Sequence, residues 1–340
     1  MKSILNHTEP VPTLVPIVFV HKNYSFYLEF SLRQARLTNA GSPLHLIGDA
    51  GNDRFPFVEH TSIESLTETD YQRFGDIYTH ASPNHVDYEL FCFRRWFLLR
   101  ELMHRHNYGV AFMADSDVMV YDRLTRSAER VRKQGYLAAY NVGTDCDWVN
   151  SASGHSSFWT REGIDRFCQF LLDLYSHPDF RPLLDNIRAK SYLITAQTGI
   201  SDMTALYLFM KQQPGRILNL SKSKRSLAFD HNIGTATNYD LNEYALDPVI
   251  KRVVWMDQSK PICFNNVRQR PVQMVTLHFQ GAAKRFIHRH YTGQDLKLLR
   301  AYREARLQVA NVYHRVLTWH QQIKYQLDTR VTVSDLRKSM

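Results

Sequence analysis

Val110-Ala111-Phe112-Met113-Ala114-Asp115-Ser116-Asp117-Val118-Met119-Val120 is the stretch on which the reading of this chain turns. Five apolar residues end in two carboxylates separated by one residue. A short apolar run bounded by turn signals reads as a buried strand. Carboxylates at the C-terminal edge of a parallel sheet sit where open α/β folds bind ligands. There Asp115 and Asp117 can hold a hard divalent cation, which in turn binds a diphosphate. Two solvated acids in a turn after a strand would look the same locally, so the surrounding chain has to decide.

On the N-terminal side the pattern alternates. Leu14 to Val20 and Leu44 to Ile47 read as short strands, and Tyr24 to Leu37 between them has apolar residues at helical spacing. Tyr88 to His104 is a strong helix pattern leading into Val110–Ala114. Beyond it, Leu137 to Tyr140 and Met274 to Leu277 read as strands. Gly163–Tyr175, Asp202–Lys211 and Gln294–Leu327 read as helices. Strands alternating with helices argue for an α/β fold with a mostly parallel sheet flanked by helices. Two irregular segments, 142–157 and 221–244, are long enough to be substrate loops.

A second motif lies far downstream: Leu277-His278-Phe279-Gln280-Gly281-Ala282-Ala283-Lys284 follows a strand and precedes a basic helix. A neutral imidazole can ligate a metal, glycine admits close backbone approach, and lysine offers a point charge to phosphate. A rival reading starts from Gly48-Asp49-Ala50-Gly51-Asn52-Asp53, which matches the GDxxND loop of haloacid-dehalogenase-type phosphohydrolases. There Asp115 would be the nucleophile. The loop precedes the paired aspartates instead of following them, and a strand-ending turn is the simpler account.

The paired aspartates together with the downstream HxxGxxK resemble the GT-A glycosyltransferases, especially retaining enzymes such as glycogenin and the lipopolysaccharide galactosyltransferases. Ile17-Val18-Phe19 followed by Asn23-Tyr24 and Tyr27-Leu28 is similar to their first strand and nucleotide-binding turn. Phe93-Arg94-Arg95-Trp96-Phe97 is similar to their Arg-bearing helix. Ser153-Gly154-His155-Ser156-Ser157-Phe158 and Gly199-Ile200-Ser201-Asp202-Met203 look like their sugar-binding loop and acceptor-side acidic segment. The resemblance covers roughly residues 14 to 290, and five weak motifs occur in the family's order.

It implies a Rossmann-like GT-A catalytic domain over 1–293, followed by a basic helical extension over 294–340. Asp115, Asp117 and His278 would bind Mn²⁺ or Mg²⁺. A nucleotide sugar, a UDP-sugar by preference, would be the donor. Tyr24 would stack on its base, with Val20, His21 and Asn23 lining that pocket. Ser116 and Gly281 would lie against the donor, and Lys284 with one of Arg94 or Arg95 would neutralise its diphosphate. Gly154 and His155 would face the sugar, and Asp202 the reacting centre, so that Asp202 and His155 are the implied catalytic pair. The implied acceptor is a saccharide or lipid-linked saccharide in surface glycan synthesis. Two departures matter. Arg285-Phe286 follows the lysine where the family has Pro-Trp, and Asp202-Met203 replaces an Asp-Gln doublet. Asp202 could then deprotonate an acceptor hydroxyl and invert configuration, although the balance leans to retention.

Other residues have plainer readings. Phe158, Trp159, Phe167, Phe170 and Leu171 read as core, as do Trp96, Phe97 and Leu98. Asp202 also reads as a helix N-cap, and His104 and His106 as helix-end residues. Asp230-His231-Asn232 reads as a surface turn, with acceptor contact as the alternative for it and for Asp145 and Asp147.

The chain has 42 Lys and Arg against 33 Asp and Glu, a net +9. Such a balance raises nucleic acid, an anionic membrane or a phosphate-rich substrate as partners. Residues 284–340 carry +8 of it, so the basic excess belongs to the appendage. No RNP, zinc-finger or helix-turn-helix pattern occurs, which argues against nucleic acid. The Gly-rich basic loop of a nucleotidyltransferase is also missing after the first strand. Leu299, Tyr302, Val309, Val312, Val316, Trp319 and Ile323 form an apolar stripe on the C-terminal helix. That stripe suits docking on the protein's own core, or peripheral contact with an anionic membrane. Cys92, Cys146, Cys168 and Cys263 form no CxxC pair, and they read as buried thiols in a reducing compartment. With no apolar leader and no run of about 20 apolar residues, the expectation is a cytoplasmic protein.

Overall fold

The computed structural model describes residues 14–67, 69–195, 199–310, 312, 313 and 321. Its strands are β1 (Ile17–Val20), β2 (Leu44–Gly48), β3 (Glu59–Ser62), β4 (Val110–Ala114), β5 (Val118–Val120), β6 (Ala138–Asn141), β7 (Ser153–Thr160), β8 (Ile217–Asn219), β9 (Leu227–Phe229), β10 (Val254–Met256), β11 (Lys260–Asn265) and β12 (Arg270–His278). Its helices are α1 (Phe26–Thr38), α2 (Thr69–Ile77), α3 (Val86–Arg105), α4 (Thr125–Lys133), α5 (Cys146–Val149), α6 (Arg161–Ser176), α7 (Arg181–Thr195) and α8 (Asp202–Gln212). By contacts the chain divides into residues 1–284 and residues 285–340.

The first unit is built on a seven-stranded sheet in the order β3-β2-β1-β4-β7-β6-β8. The pairs β3–β2, β2–β1, β1–β4 and β6–β8 are parallel, and only β7 runs against its neighbours β4 and β6. The sheet is thus mostly parallel and flanked by helices, as the alternating pattern implies. Period-two alternation sorts its side chains into two cores. Val18, Val20, Ala111 and Met113 face α2, α3, α6 and α8. Ile17, Phe19, Phe112 and Ala114 face α1 and α4. The aromatic stripe Phe158, Trp159, Phe167, Phe170 and Leu171 is core, as are Trp96, Phe97 and Leu98.

A second, five-stranded sheet follows the order β10-β11-β12-β5, with β9 parallel to β12. Its junction with the first sheet is the turn at Asp115–Asp117, because β4 leads through that turn directly into β5. β5 pairs antiparallel with β12 in the register His278 with Val118, Leu277 with Met119 and Thr276 with Val120. The Phe279 amide donates to the Asp117 carbonyl at 3.0 Å and extends that ladder into the turn.

Several expectations need correction. The segment 142–157 is not one irregular loop, since Ser153–Thr160 is a buried central strand. Its Gly154 lies under the indole of Trp96, where a Cβ would come within 2.5 Å of the ring. The segment 221–244 contains β9, preceded by a turn in which Arg225 and Ser226 have positive φ. Asp202 is the first residue of α8, and the N-cap is Ser201, which forms a capping box with Thr204. The four cysteines are free, but only Cys168 and Cys263 are fully buried.

Asp230 is no surface residue either. It is wholly buried beside an equally buried Lys251, with Nζ to Oδ1 at 2.6 Å. The ammonium also donates to the carbonyls of Asn232 and Thr237 at 2.6 and 3.1 Å. The other Asp230 oxygen accepts the His278 amide hydrogen at 3.1 Å. A buried pair so fully satisfied fixes the 230–237 loop to the end of β12.

In the second unit a 3-10 helix (Gly281–His290), begun in the first, reaches His290, and residues 297–310 are α-helical. The helix begins three residues later than its sequence pattern implies. Arg289 holds Glu304 through two hydrogen bonds of 2.7 and 2.8 Å, and His288 adds a third at 3.0 Å. Val316, Trp319 and Ile323 of the apolar stripe lie outside the described residues. No helix among the described residues is long and apolar enough to cross a membrane.

Lys251→Met strands the Asp230 carboxylate in the interior, and urea denaturation should show a loss of about 3–5 kcal/mol. Adding Asp230→Asn removes the stranded charge and should recover part of that loss. Equal destabilisation of the single and double variants would refute a paired-charge role.

Candidate functional site

The C-terminal ends of β1, β2 and β4 share one edge of the sheet because the three strands are parallel neighbours. Three sequence segments therefore converge there: Val20–Tyr24, Gly48–Asp53 and Asp115–Asp117. The Gly48–Asp53 turn braces the first of them. Asn52, fully buried, donates to the carbonyls of His21 and Asn23 at 2.7 and 3.0 Å. Asp49 accepts the Asn23 amide hydrogen at 2.8 Å. This holds Asn23 at a φ of 61°, a left-handed conformation that asparagine tolerates. Tyr24 is exposed, with the Arg54 guanidinium over its ring at 4.7 Å. His21 follows β1 and has a buried Nε2 that lacks a hydrogen-bond partner among the described residues, and burial pushes its pKa down.

Asp117 is the buried carboxylate of the pair. His278 Nε2 lies 3.4 Å from it and Lys284 Nζ 3.1 Å. Burial alone would raise its pKa, but His278 and Lys284 outweigh burial and hold it at about 2. The reciprocal effect raises His278 against its own burial. His278 is aimed by its other nitrogen, since Nδ1–H donates to the His231 carbonyl at 2.7 Å. This carbonyl–imidazole arrangement fixes ring orientation and leaves Nε2 facing the carboxylates. His155 stacks on the His278 ring at 4.0 Å and 13°. Both its ring nitrogens are used inside the protein, with Ser153 at 2.7 Å and the Asp230 carbonyl at 2.9 Å. Burial, aided by the neighbouring histidines, keeps His155 neutral.

The 3-10 geometry explains the HxxGxxK spacing. Residues three apart eclipse in such a helix, so Lys284 lies on the same side as Gly281 and reaches back to Asp117. Gly281 has a φ of 58° and open space around the position of a Cβ.

Asp115 faces the other way, toward α3. Arg95 Nη1 meets it at 2.5 Å, and Nη2 meets Asp202 at 2.8 Å. One guanidinium thus bridges a carboxylate from the β4 turn and one from α8. Burial disfavours the Arg95 charge, but the two acids outweigh burial and raise its pKa. Trp96 adds an indole hydrogen bond to Asp202 at 3.2 Å. Asp202 is therefore closed off, and burial raises its pKa against the pull of Arg95. Arg94 takes no part. It points at α2, donating to the Tyr71 carbonyl at 3.1 Å and lying over the Tyr71 ring. Of the two arginines that the sequence leaves open, the one beside the paired aspartates is Arg95.

Oxygens of Asp115 and Asp117 and a nitrogen of His278 lie within 4.8 Å of one another. Two carboxylates and an imidazole held neutral by a metal suit Mn²⁺ or Mg²⁺, so the donor set fits the ion that the resemblance implies. Ser116 sits between the two aspartates in the turn. Gly154 is packed within β7 under Trp96. Lys251, Asp230 and Asn52 support the site without being expected to. Lys251 has no local signal at all, whereas Asn52 lies in a turn that the sequence does single out.

No protein-family model and no curated protein matches the chain. Among solved structures it aligns with mouse xyloside xylosyltransferase 1 at 11% identity over 62% of this chain and 85% of the other, with a TM-score of 0.41. It aligns with the galactosyltransferase LgtC, in complex with donor and acceptor sugar analogues, at 11% identity over 86% of this chain and 96% of the other, with a TM-score of 0.41. The bifunctional glycosyltransferase WbbM aligns at 11% identity with a TM-score of 0.47 over 89% of this chain, which spans 53% of the WbbM chain.

Proposed function

We propose that this chain is a metal-dependent glycosyltransferase that moves a sugar from a nucleotide-sugar donor, a UDP-sugar by preference, to a saccharide or lipid-linked saccharide. The observation that carries the reading is the convergence of Asp115, Asp117, His278 and Lys284 at one sheet edge beside the braced Val20–Tyr24 loop. A bound Mn²⁺ or Mg²⁺ at that cluster supplies charge neutralisation for a departing diphosphate.

The remaining work falls to the chain's own residues. Tyr24 offers an exposed ring to a base at the edge where β1 ends, and His21 Nε2, without a partner among the described residues, offers a polar contact beside it. Lys284 carries a charge held next to Asp117, available to a diphosphate there. His155 acts as a positioning residue, since its ring nitrogens are taken by Ser153 and the Asp230 carbonyl and its ring lies against those of His278 and His231. Arg95 holds Asp115 in place from Asp202. Because Asp202 accepts from both Arg95 and Trp96 and is shut from solvent, it is poorly disposed to take a proton from an acceptor hydroxyl. That arrangement supports retention of configuration, with Asp202 acting through Arg95.

A panel of nucleotide sugars followed by proton NMR of the product tests donor class and stereochemistry together. A product of inverted configuration would overturn the role given to Asp202. Asp117→Asn, or excess chelator on the unaltered protein, should lower transfer by at least a hundredfold, roughly the scale of losing one charge-stabilising group. Full activity in either case would sink the metal-dependent reading. Arg95→Lys keeps a charge but loses the two-pronged bridge. It should lower kcat by about ten- to a hundredfold, as small misplacements do, with donor KM little changed. A change confined to KM would mean that Arg95 binds donor directly.

A further inference from the structure

A second cluster of ligating side chains lies away from the paired aspartates, at the opposite end of the parallel strands. His45 is the second residue of β2 and pairs across the ladder with Glu59, the first residue of β3. His106 follows the last turn of α3 and brings its ring within 5.0 Å of the His45 ring. One ligand atom from each of the three residues lies within 4.8 Å of the others. Glu59 spans the gap, with one oxygen 3.5 Å from His45 Nδ1 and the other 3.9 Å from His106 Nε2.

His45 is the informative member. Its side chain is fully buried. Its Nε2 is engaged with the Tyr108 hydroxyl at 2.9 Å, which turns Nδ1 toward Glu59 and His106. That Nδ1 is buried with no hydrogen-bond partner among the described residues. A buried polar atom left unsatisfied costs free energy unless something unseen meets it. Tyr108 does to His45 what a second-shell partner does to a metal-bound histidine, fixing which nitrogen faces the ion. It also stacks on the His106 ring at 5.2 Å and 12°, so both imidazoles are oriented by one residue.

We propose that His45, Glu59 and His106 form a second metal site, separate from the Asp115–Asp117–His278 cluster, and that it takes Zn²⁺. Two imidazoles and one carboxylate are a zinc donor set, with a fourth position left to water. Ligands of one tetrahedral zinc lie about 3.3 Å apart at ordinary bond lengths, and the His45–Glu59 separation of 3.5 Å is close to that. The ion would clip the edge strand β3 to β2 and to the end of α3. It takes no part in the reaction.

The test uses the full chain carrying Asp115→Asn and Asp117→Asn, so that the first cluster is disabled. Zn²⁺ alone is titrated against a chromophoric chelator, and Co²⁺ is substituted to read coordination from its visible absorption. One Zn²⁺ per chain and a tetrahedral cobalt spectrum are expected. His106→Ala and Glu59→Gln, both at positions that are not fully buried, should each weaken zinc by at least about tenfold with unchanged circular dichroism. Absence of zinc binding in the Asp-substituted background would overturn the site, as would zinc affinity in both ligand variants equal to that of the background itself.

Discussion

A buried carboxylate has to be answered by charge, and Asp117 sets that demand for the whole molecule. Taking such a group out of water costs several kcal/mol or more unless opposite charge and hydrogen bonds replace the lost solvent. The compensation comes from His278 and Lys284, some 160 residues further along the chain. They can arrive only if β12 returns to pair with β5, which begins directly after Asp117. The second sheet, the 3-10 turn at Gly281 and the buried Lys251–Asp230 pair all serve to hold that returning strand in register.

Charge then propagates outward from the turn in two directions. One line runs through His278 to His155, whose nitrogens are spent on Ser153 and the Asp230 carbonyl. The other runs from Asp115 through Arg95 to Asp202. Neither aspartate is idle, because each has its own cation. A divalent ion entering between them would meet carboxylates already oriented, and that preorganisation is what a site for a highly charged leaving group needs.

The skeleton is legible in the sequence wherever one physical signal dominates. The β4 run, the α3 and α6 patterns and the aromatic core each follow a single periodicity, and the structure repeats them. β7 is missed because its first half is polar yet buried on both faces. Gly154, His155, Ser156 and Ser157 interrupt the apolar pattern, since they pack under Trp96, against His278 and into hydrogen bonds. The Arg94–Arg95 ambiguity is of a different kind. Adjacent residues on a helix point about 100° apart, so one reaches the site and the other reaches α2, but no local pattern says which. Lys251 is illegible because its partner lies 21 residues away and is met only by folding. His106 does end its helix, as its position suggests, yet its neighbour across the sheet edge is visible only once β2 and β3 are paired.

The long separation between Asp117 and its partners has a consequence for biosynthesis. Contacts far apart in sequence form late, after the entropy of closing the intervening chain has been met. During translation the parallel strands β1, β2 and β4 leave the ribosome well before residue 278, so the edge that carries Asp115 and Asp117 is made early and stays electrostatically incomplete. A chain arrested anywhere in that interval holds Asp117 without His278 and Lys284, whereas Asp115 already has Arg95. The last residues of the first unit therefore complete the charge balance of Asp117, and a chain truncated before them leaves that carboxylate without either cation.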